Sequence, residues 1–282
     1  MTSSRIKMMR SFLTRHFGDF MVKYIIGGNW KMYKTVKEAV DTATAIANAI
    51  KGYDKVDVFI APPFTALYAV GQAIKGTNLK LAAQNMYFRD NGAFTGEISP
   101  DFLIDCGCEY VLLGHSERRR IFGETSEFIN QKVIKALEKG LKPVLCIGET
   151  MKERTEGKTE SVNIEQLEKS LKDVQPSQMK NVVIAYEPVW AINNKFLNPD
   201  MDPIPATPEQ AKEVHAFVRK WLVEKYGAEI GSQVPIQYGG SMNKSNAVEL
   251  LAIENINGGL IGSASLAADQ FEPIIKAAQD RS

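Results

Sequence analysis

Three side chains in this 282-residue sequence sit where acid–base chemistry can be done: Glu187, His115 and Lys31. Glu187 closes the short apolar run Val182–Ala185 and stands between Tyr186 and Pro188. A carboxylate there is either an ordinary charged rim residue or, under an apolar cover, a general base. Ile192 and Leu260 are the side chains placed to supply that cover. His115, one of three histidines, lies between Gly114 and Ser116-Glu117. It reads as a structural histidine or, at a helix start that favours neutral imidazole, as a donor to a carbonyl. Lys31 follows Gly28-Asn29-Trp30. It can steer a phosphate, offset a developing oxyanion or form a Schiff base.

Two small-residue runs complete the set, Tyr238-Gly239-Gly240-Ser241 and Gly262-Ser263-Ala264-Ser265-Leu266. Glycine and serine let backbone N–H groups come close to an anion. The second run opens a short helix, whose start is favourable for phosphate. Either run alone is only a tight turn; at the ends of adjacent strands the pair reads as a phosphate cradle. A base, a neutral donor, a cation and a phosphate cradle suit proton transfer beside a carbonyl in a small phosphorylated substrate. No His-x-x-x-His motif or Asp/Glu/His cluster suggests a metal, and no cofactor is expected. Cys106, Cys108 and Cys146 have neither redox nor zinc spacing and read as buried or partly buried thiols.

These residues need a scaffold that brings their loops to one place. Eight short apolar runs recur: Tyr24–Ile26, Val56–Ile60, Leu79–Ala83, Tyr110–Leu113, Pro143–Ile147, Val182–Ala185, Pro235–Tyr238 and Gly259–Ile261. They are near-continuous and often β-branched, as parallel strands buried on both faces are. Between them, Thr35–Ile50, Glu127–Lys139, Ala211–Tyr226, Asn243–Ile253 and Ala268–Ala278 read as helices. Thr207-Pro208-Glu209-Gln210 is a helix start, with Thr as N-cap, Pro next and Gln in position to close a capping box. Repeated strand–helix units imply parallel strands joined by right-handed crossovers. A doubly wound sheet and a closed barrel both satisfy that. Eight units favour an α/β fold of the (β/α)8 barrel type, a single domain of about 250 residues whose active sites form after the strands' C-terminal ends.

Length and charge locate what the barrel does not need. The whole chain carries 34 Lys+Arg against 33 Asp+Glu, which removes the electrostatic case for nucleic-acid binding. No stretch reaches the ~18 apolar residues of a membrane span. Residues 1–21 hold Arg5, Lys7, Arg10 and Arg15 against Asp19 alone, with several Ser and Thr. That composition suits an organelle transit peptide, or a harmless extension ahead of a start at Met21. It lacks a secretory apolar core of about 7–15 residues, so the expected compartment is the cytoplasm or a mitochondrial or other organelle matrix, not the exterior. The expected division is an extension over 1–21 and a barrel domain over 22–282.

Several motifs then point to one family. Gly-Gly-Asn-Trp-Lys-Met (27–32), Gly-Ala-Phe-Thr-Gly-Glu-Ile-Ser (92–99) and Gly-His-Ser-Glu-Arg-Arg (114–119) are three of them. Leu-Cys-Ile-Gly-Glu (145–149), Ala-Tyr-Glu-Pro-Val-Trp-Ala-Ile (185–192) and Tyr-Gly-Gly-Ser (238–241) are the others. Over residues 22–280 the sequence resembles the triosephosphate isomerase family. The resemblance implies interconversion of dihydroxyacetone phosphate and D-glyceraldehyde 3-phosphate through an enediolate, a step of glycolysis and gluconeogenesis. By it Glu187 is the proton-shuttling base, His115 the neutral electrophile, and Lys31 and Asn29 the electrostatic contacts to substrate. Asn193, Ser241, Gly262 and Ser263 fall at phosphate-contact positions. Glu117 matches an acid near the lysine, Cys146 a support beneath the base, and Arg118 with Glu124 a structural ion pair. Thr95, on the loop after the third strand, matches a contact into the neighbouring subunit's site, which implies a homodimer.

Two departures stand out. The common lid pattern Ala-Ile-Gly-Thr-Gly-Lys is replaced from Ala191 onward by Ala-Ile-Asn-Asn-Lys-Phe and a proline-bearing run to Thr207, about eight residues longer. The usual glycine pair after the eighth strand is Gly262-Ser263. A degenerate barrel that binds or assembles through this long lid is the alternative reading, and a Schiff-base aldolase using Lys31 is a second. The intact Lys31, His115 and Glu187 set argues against both.

Overall fold

The computed structural model describes residues 22–192, 194, 197 and 205–282; the leader 1–21 and Asn193 lie outside the described residues. Its strands are β1 (Tyr24–Asn29), β2 (Val56–Ala61), β3 (Leu79–Ala83), β4 (Cys108–Leu113), β5 (Lys142–Ile147), β6 (Val183–Tyr186), β7 (Ile236–Tyr238) and β8 (Gly258–Ile261). All eight run parallel in chain order, and β8 pairs with β1 from Ile25↔Gly258 to Gly28↔Ile261, closing the barrel. Closure needs a glycine: Gly258 has φ +141°, and a β-carbon there would lie 1.9 Å from the Ile25 carbonyl oxygen.

The helices are α1 (Val36–Ala49), α2 (Phe64–Ala73), α3 (Pro100–Asp105), α4 (Ser116–Arg120), α5 (Ser126–Glu138) and α6 (Met151–Thr155). They continue as α7 (Thr159–Ser170), α8 (Pro208–Tyr226), α9 (Ala228–Gly231), α10 (Ala247–Leu251) and α11 (Ala268–Gln279). None among the described residues is long and apolar enough to cross a membrane. The Thr207–Gln210 capping box forms as its sequence implies: the Gln210 amide N–H donates to Thr207 Oγ1, and Gln210 Oε1 accepts the Thr207 N–H. The helix expected over Asn243–Ile253 is shorter, starting at Ala247. Asn243 Oδ1 accepts the Ser245 N–H and Asn246 Oδ1 accepts the Asn243 N–H, so side chains take the backbone partners that a helix would use.

Strand alternation sorts the core into two clusters. Ile25, Phe59, Ala61, Tyr110, Leu112, Val144, Cys146, Val183, Ala185 and Leu260 pack inside the barrel. Ile26, Val58, Ile60, Val111, Leu113, Leu145, Ile184, Ile236 and Ile261 face outward, against the helices. Two buried faces explain why the strands read as near-continuous apolar runs. The same alternation aims the chemistry. Ile25 and Gly27 precede Asn29 on the inner face of β1, and Ala185 precedes Glu187 at the end of β6, so both polar side chains arrive at the barrel mouth.

Candidate active site

The turn after β1 is held tightly. Trp30 is buried and its indole N–H donates to the Ser265 carbonyl, 3.0 Å away. Lys31 has φ +50°, a left-handed conformation uncommon for lysine. Two amides hold it there: Asn29 Oδ1 accepts the Lys31 N–H at 3.0 Å, and Gln84 Nε2 donates to the Lys31 carbonyl at 2.7 Å. The ammonium is thereby aimed at Glu117 Oε1, 2.9 Å away. Burial pulls the Glu117 carboxyl up, but the Lys31 ammonium and the hydrogen bonds from Lys31 and Asn194 oppose it, and the carboxyl stays below its usual range.

His115 caps α4 with its own ring. Nδ1 accepts the Glu117 N–H at 3.2 Å, which puts the hydrogen of the neutral ring on Nε2. Nε2 lies 3.0 Å from Glu187 Oε1. The other carboxylate oxygen of Glu187 accepts the Ser116 N–H at 3.0 Å. Glu187 is only 3% exposed, and the Gly239 backbone lies so close that a β-carbon there would be 2.7 Å from Glu187 Cγ. Cys146 is fully buried in the inner cluster; burial first, then the Glu187 carboxylate, pushes its thiol up, so it stays protonated. Ile192 and Leu260 are buried, Leu260 in the same inner cluster as Cys146.

The glycine-rich turns arrive beside Lys31. A β-carbon on Gly262 would lie 3.9 Å from Lys31 Cε. Ser263 begins a 3₁₀ turn, Ser263–Leu266, and is exposed. Ser265 closes this turn by donating its hydroxyl to the Gly262 carbonyl at 2.7 Å. After β7, the Ser241 hydroxyl donates to the Ala191 carbonyl at 3.3 Å, tying this turn to the segment that follows Glu187. A neutral donor, a carboxylate, an ammonium and two small-residue turns thus share one mouth. That set can move a proton between carbons beside a carbonyl while holding an anionic tail.

Comparison with known proteins shows the family. The family model described as triosephosphate isomerase matches residues 24–278. The chain belongs to the triosephosphate isomerase family.

Triosephosphate isomerase from Fusobacterium nucleatum is 47% identical over 257 residues, 91% of this chain and 99% of its own. That of Carboxydothermus hydrogenoformans is 48% identical over 256 residues, with 91% and 99% covered. A crystal structure of the Bartonella henselae triosephosphate isomerase superposes with a TM-score of 0.81 at 36% identity, covering 93% of this chain and all of the other. Family membership makes the chain an isomerase of triose phosphates, whose reaction belongs to glycolysis, as the sequence motifs imply.

The triosephosphate isomerase pattern also pointed to Arg118 and Glu124 as an ion pair, and they meet at 2.8 Å. The sequence did not single out Lys132, which is 1% exposed and reaches the same Glu124 oxygen at 2.7 Å. Gln84 was likewise missed, although it sets the Lys31 backbone. Glu149 was quoted only within a motif, yet it is fully buried and accepts from Tyr186 Oη at 3.1 Å and Trp190 Nε1 at 3.0 Å. It therefore anchors both residues flanking the Glu187-Pro188-Val189 corner. Buried acids in a family motif are the signal that points to it. Thr95 is exposed on the loop between β3 and α3.

Proposed function

We propose that this chain interconverts dihydroxyacetone phosphate and D-glyceraldehyde 3-phosphate through an enediolate, with Glu187 as the base. Glu187 takes a proton from the carbon beside the carbonyl. The electron pair moves into the carbon–carbon bond and charge develops on the carbonyl oxygen. His115 Nε2–H donates to that oxygen, and Lys31 and Asn29 offset its charge. His115 passes its Nε2 proton to that oxygen and takes up the proton of the neighbouring hydroxyl, whose oxygen becomes the new carbonyl, and Glu187 returns its proton to the carbon that bore the first carbonyl, which completes the transfer. Gly262, Ser263 and Ser241 hold the phosphate through backbone and hydroxyl donors; Asn193, assigned to the same task, lies outside the described residues. Glu117 keeps Lys31 in place, and Cys146, Ile192 and Leu260 line the site as apolar support.

The observation that carries this reading is the 3.0 Å approach of His115 Nε2 to Glu187 Oε1, beside a Lys31 already paired to Glu117. Substrate enters by taking over the contacts that Glu187 now makes with His115 and Ser116. A coupled assay on glyceraldehyde 3-phosphate with Glu187→Ala tests it. Loss of ~10² or more in kcat fits a general base, and activity that survives removes Glu187 from the role.

Two further parts of the reading concern the chain as a whole. We propose a homodimer with Thr95 at the contact. Large exposed apolar side chains support it: Phe94 beside Thr95 is exposed, and so are Met32, at 94%, Tyr33, Tyr68 and Phe102. Sedimentation of Thr95→Arg against the unmutated chain decides, since a lone dimer contact of that kind will not tolerate a buried cation. We also propose that residues 1–21 are separate from the barrel domain 22–282, supported by a family match that starts at residue 24. Fluorescent fusions with and without residues 1–20 report whether that segment directs the chain to an organelle or leaves it in the cytoplasm.

A further inference from the structure

Past Ile192 the lid segment places one described side chain against the catalytic charges. Asn194 Nδ2 donates to Glu117 Oε1 at 2.8 Å, across 77 positions of sequence. The same oxygen takes the Lys31 ammonium at 2.9 Å. The other end of the amide faces its own turn: Asn194 Oδ1 accepts the Leu197 N–H at 3.4 Å, and the Asn194 carbonyl accepts the same N–H at 3.1 Å. The Asn194 N–H donates to the Ile192 carbonyl at 2.9 Å. A carboxylate accepts only and an N–H donates only, so these partners leave the amide one orientation. The sequence pattern marks Asn194 only as part of the replaced lid run. In the common lid pattern a threonine stands at this place, with a shorter side chain and a single donor hydrogen.

We infer that Asn194 is a positioning residue that sets Lys31 through Glu117. The inference rests on Lys31 being the cation that meets the substrate anion. A hydrogen bond to a carboxylate is among the stronger kinds. By occupying Glu117 Oε1, Asn194 fixes that carboxylate's rotamer and takes part of its accepting capacity. The Lys31 ammonium then keeps one N–H on Glu117 and has more of its charge for an incoming anion.

Three variants test it on the full chain. Asn194→Ala is expected to lower kcat/KM about tenfold, mostly through KM, because the lysine acts on bound substrate and transition state alike. On a Glu117→Ala background the same substitution is expected to cost less than about twofold, since its target is gone. Asn194→Asp sets a second carboxylate against Glu117; like charges raise one carboxyl's affinity for a proton. Its activity relative to the unmutated chain is therefore expected to recover as pH falls from about 8 to about 6, while the Asn194→Ala ratio stays flat. Full additivity in the Glu117→Ala cycle, or an Asn194→Asp deficit independent of pH, overturns the coupling and leaves the site assignment standing. A Glu117→Ala variant with unchanged kinetics overturns both the coupling and the placing of the Lys31–Glu117 pair in the site.

Discussion

His115 Nε2 and Glu187 Oε1 stand 3.0 Å apart, while His115 Nδ1 accepts the Glu117 N–H. The second contact decides the tautomer for the first: the ring offers its hydrogen from Nε2. His115 therefore has two separable jobs, capping α4 and donating to substrate. Asparagine is a good N-cap whose oxygen can take the Glu117 N–H, but its amide is too short to reproduce the Nε2 donor. For His115→Asn we expect the melting temperature to move little while kcat falls about 10²–10³-fold, the usual cost of one oxyanion donor. Steady-state kinetics beside thermal unfolding of the same preparation checks it; parallel losses in both would mean that the cap, not the donor, dominates.

Gln84 carries a different kind of effect. Its amide donates to the Lys31 carbonyl at 2.7 Å and to the Ala61 carbonyl at 2.9 Å, so it spans the ends of β1 and β2. A lysine at φ +50° persists only when its surroundings over-determine it. Gln84→Met keeps volume and removes both donors. We expect kcat/KM to fall about tenfold, because a small displacement of a positioned charge is costly. Unchanged kinetics in that variant would show that Asn29 and the Trp30 anchor suffice to hold the turn.

The barrel was legible because its strands are buried on both faces: Val56–Ile60 and Pro143–Ile147 announce themselves as apolar runs. The N-cap of α8 was legible because Thr207, Pro208 and Gln210 act locally. Helix α2 was missed because Phe64-Thr-Ala-Leu-Tyr-Ala-Val-Gly-Gln-Ala is apolar nearly all round and shows no clear stripe. Lys31, His115 and Glu187 could be picked out because each sits just past a strand. Gln84 and Asn194 could not, since their partners Lys31 and Glu117 lie 53 and 77 positions away; nor could Lys132, whose partners Glu124 and Asn85 lie 8 and 47 positions away, and nothing in its neighbours marks it. Long-range side-chain pairing is a property of the closed barrel, not of any window of sequence.

Glu124 and Lys132 show what a buried ion pair is worth. Their side chains are 4% and 1% exposed and meet at 2.7 Å, with Arg118 Nε at 2.9 Å on the same oxygen and Asn85 Oδ1 3.0 Å from the ammonium. Burial pulls the Lys132 ammonium's pKa down, and Glu124 opposes that shift. Glu124→Gln leaves a buried cation without its countercharge. We expect a loss of about 3–5 kcal/mol in urea unfolding, with kinetics of the surviving folded fraction nearly unchanged. Adding Lys132→Met to Glu124→Gln is expected to restore part of that loss; no recovery would assign the cost to Arg118 instead.

His215 makes stability depend on pH. It lies fully buried on α8, edge-on to Tyr186 and near Tyr238, with Nδ1 3.1 Å from the Asn255 carbonyl. Burial pushes its pKa from 6.5 down to about 4; the Asn255 bond opposes this and the Arg219 charge adds to it. The folded chain therefore holds the ring neutral where the unfolded chain would protonate it. This stabilisation is fully present above the unfolded value, near 6.5, and is lost as pH falls from there toward about 4. The amount at stake is about 3 kcal/mol. His215→Gln keeps a donor for the Asn255 carbonyl and cannot take up a proton. Urea unfolding at intervals between about pH 7.5 and about pH 4.5 should show a shallower acid slope in His215→Gln than in the unmutated chain, the curves converging at the acid end. Parallel curves across that range would mean that the ring is solvated or already charged in the folded chain.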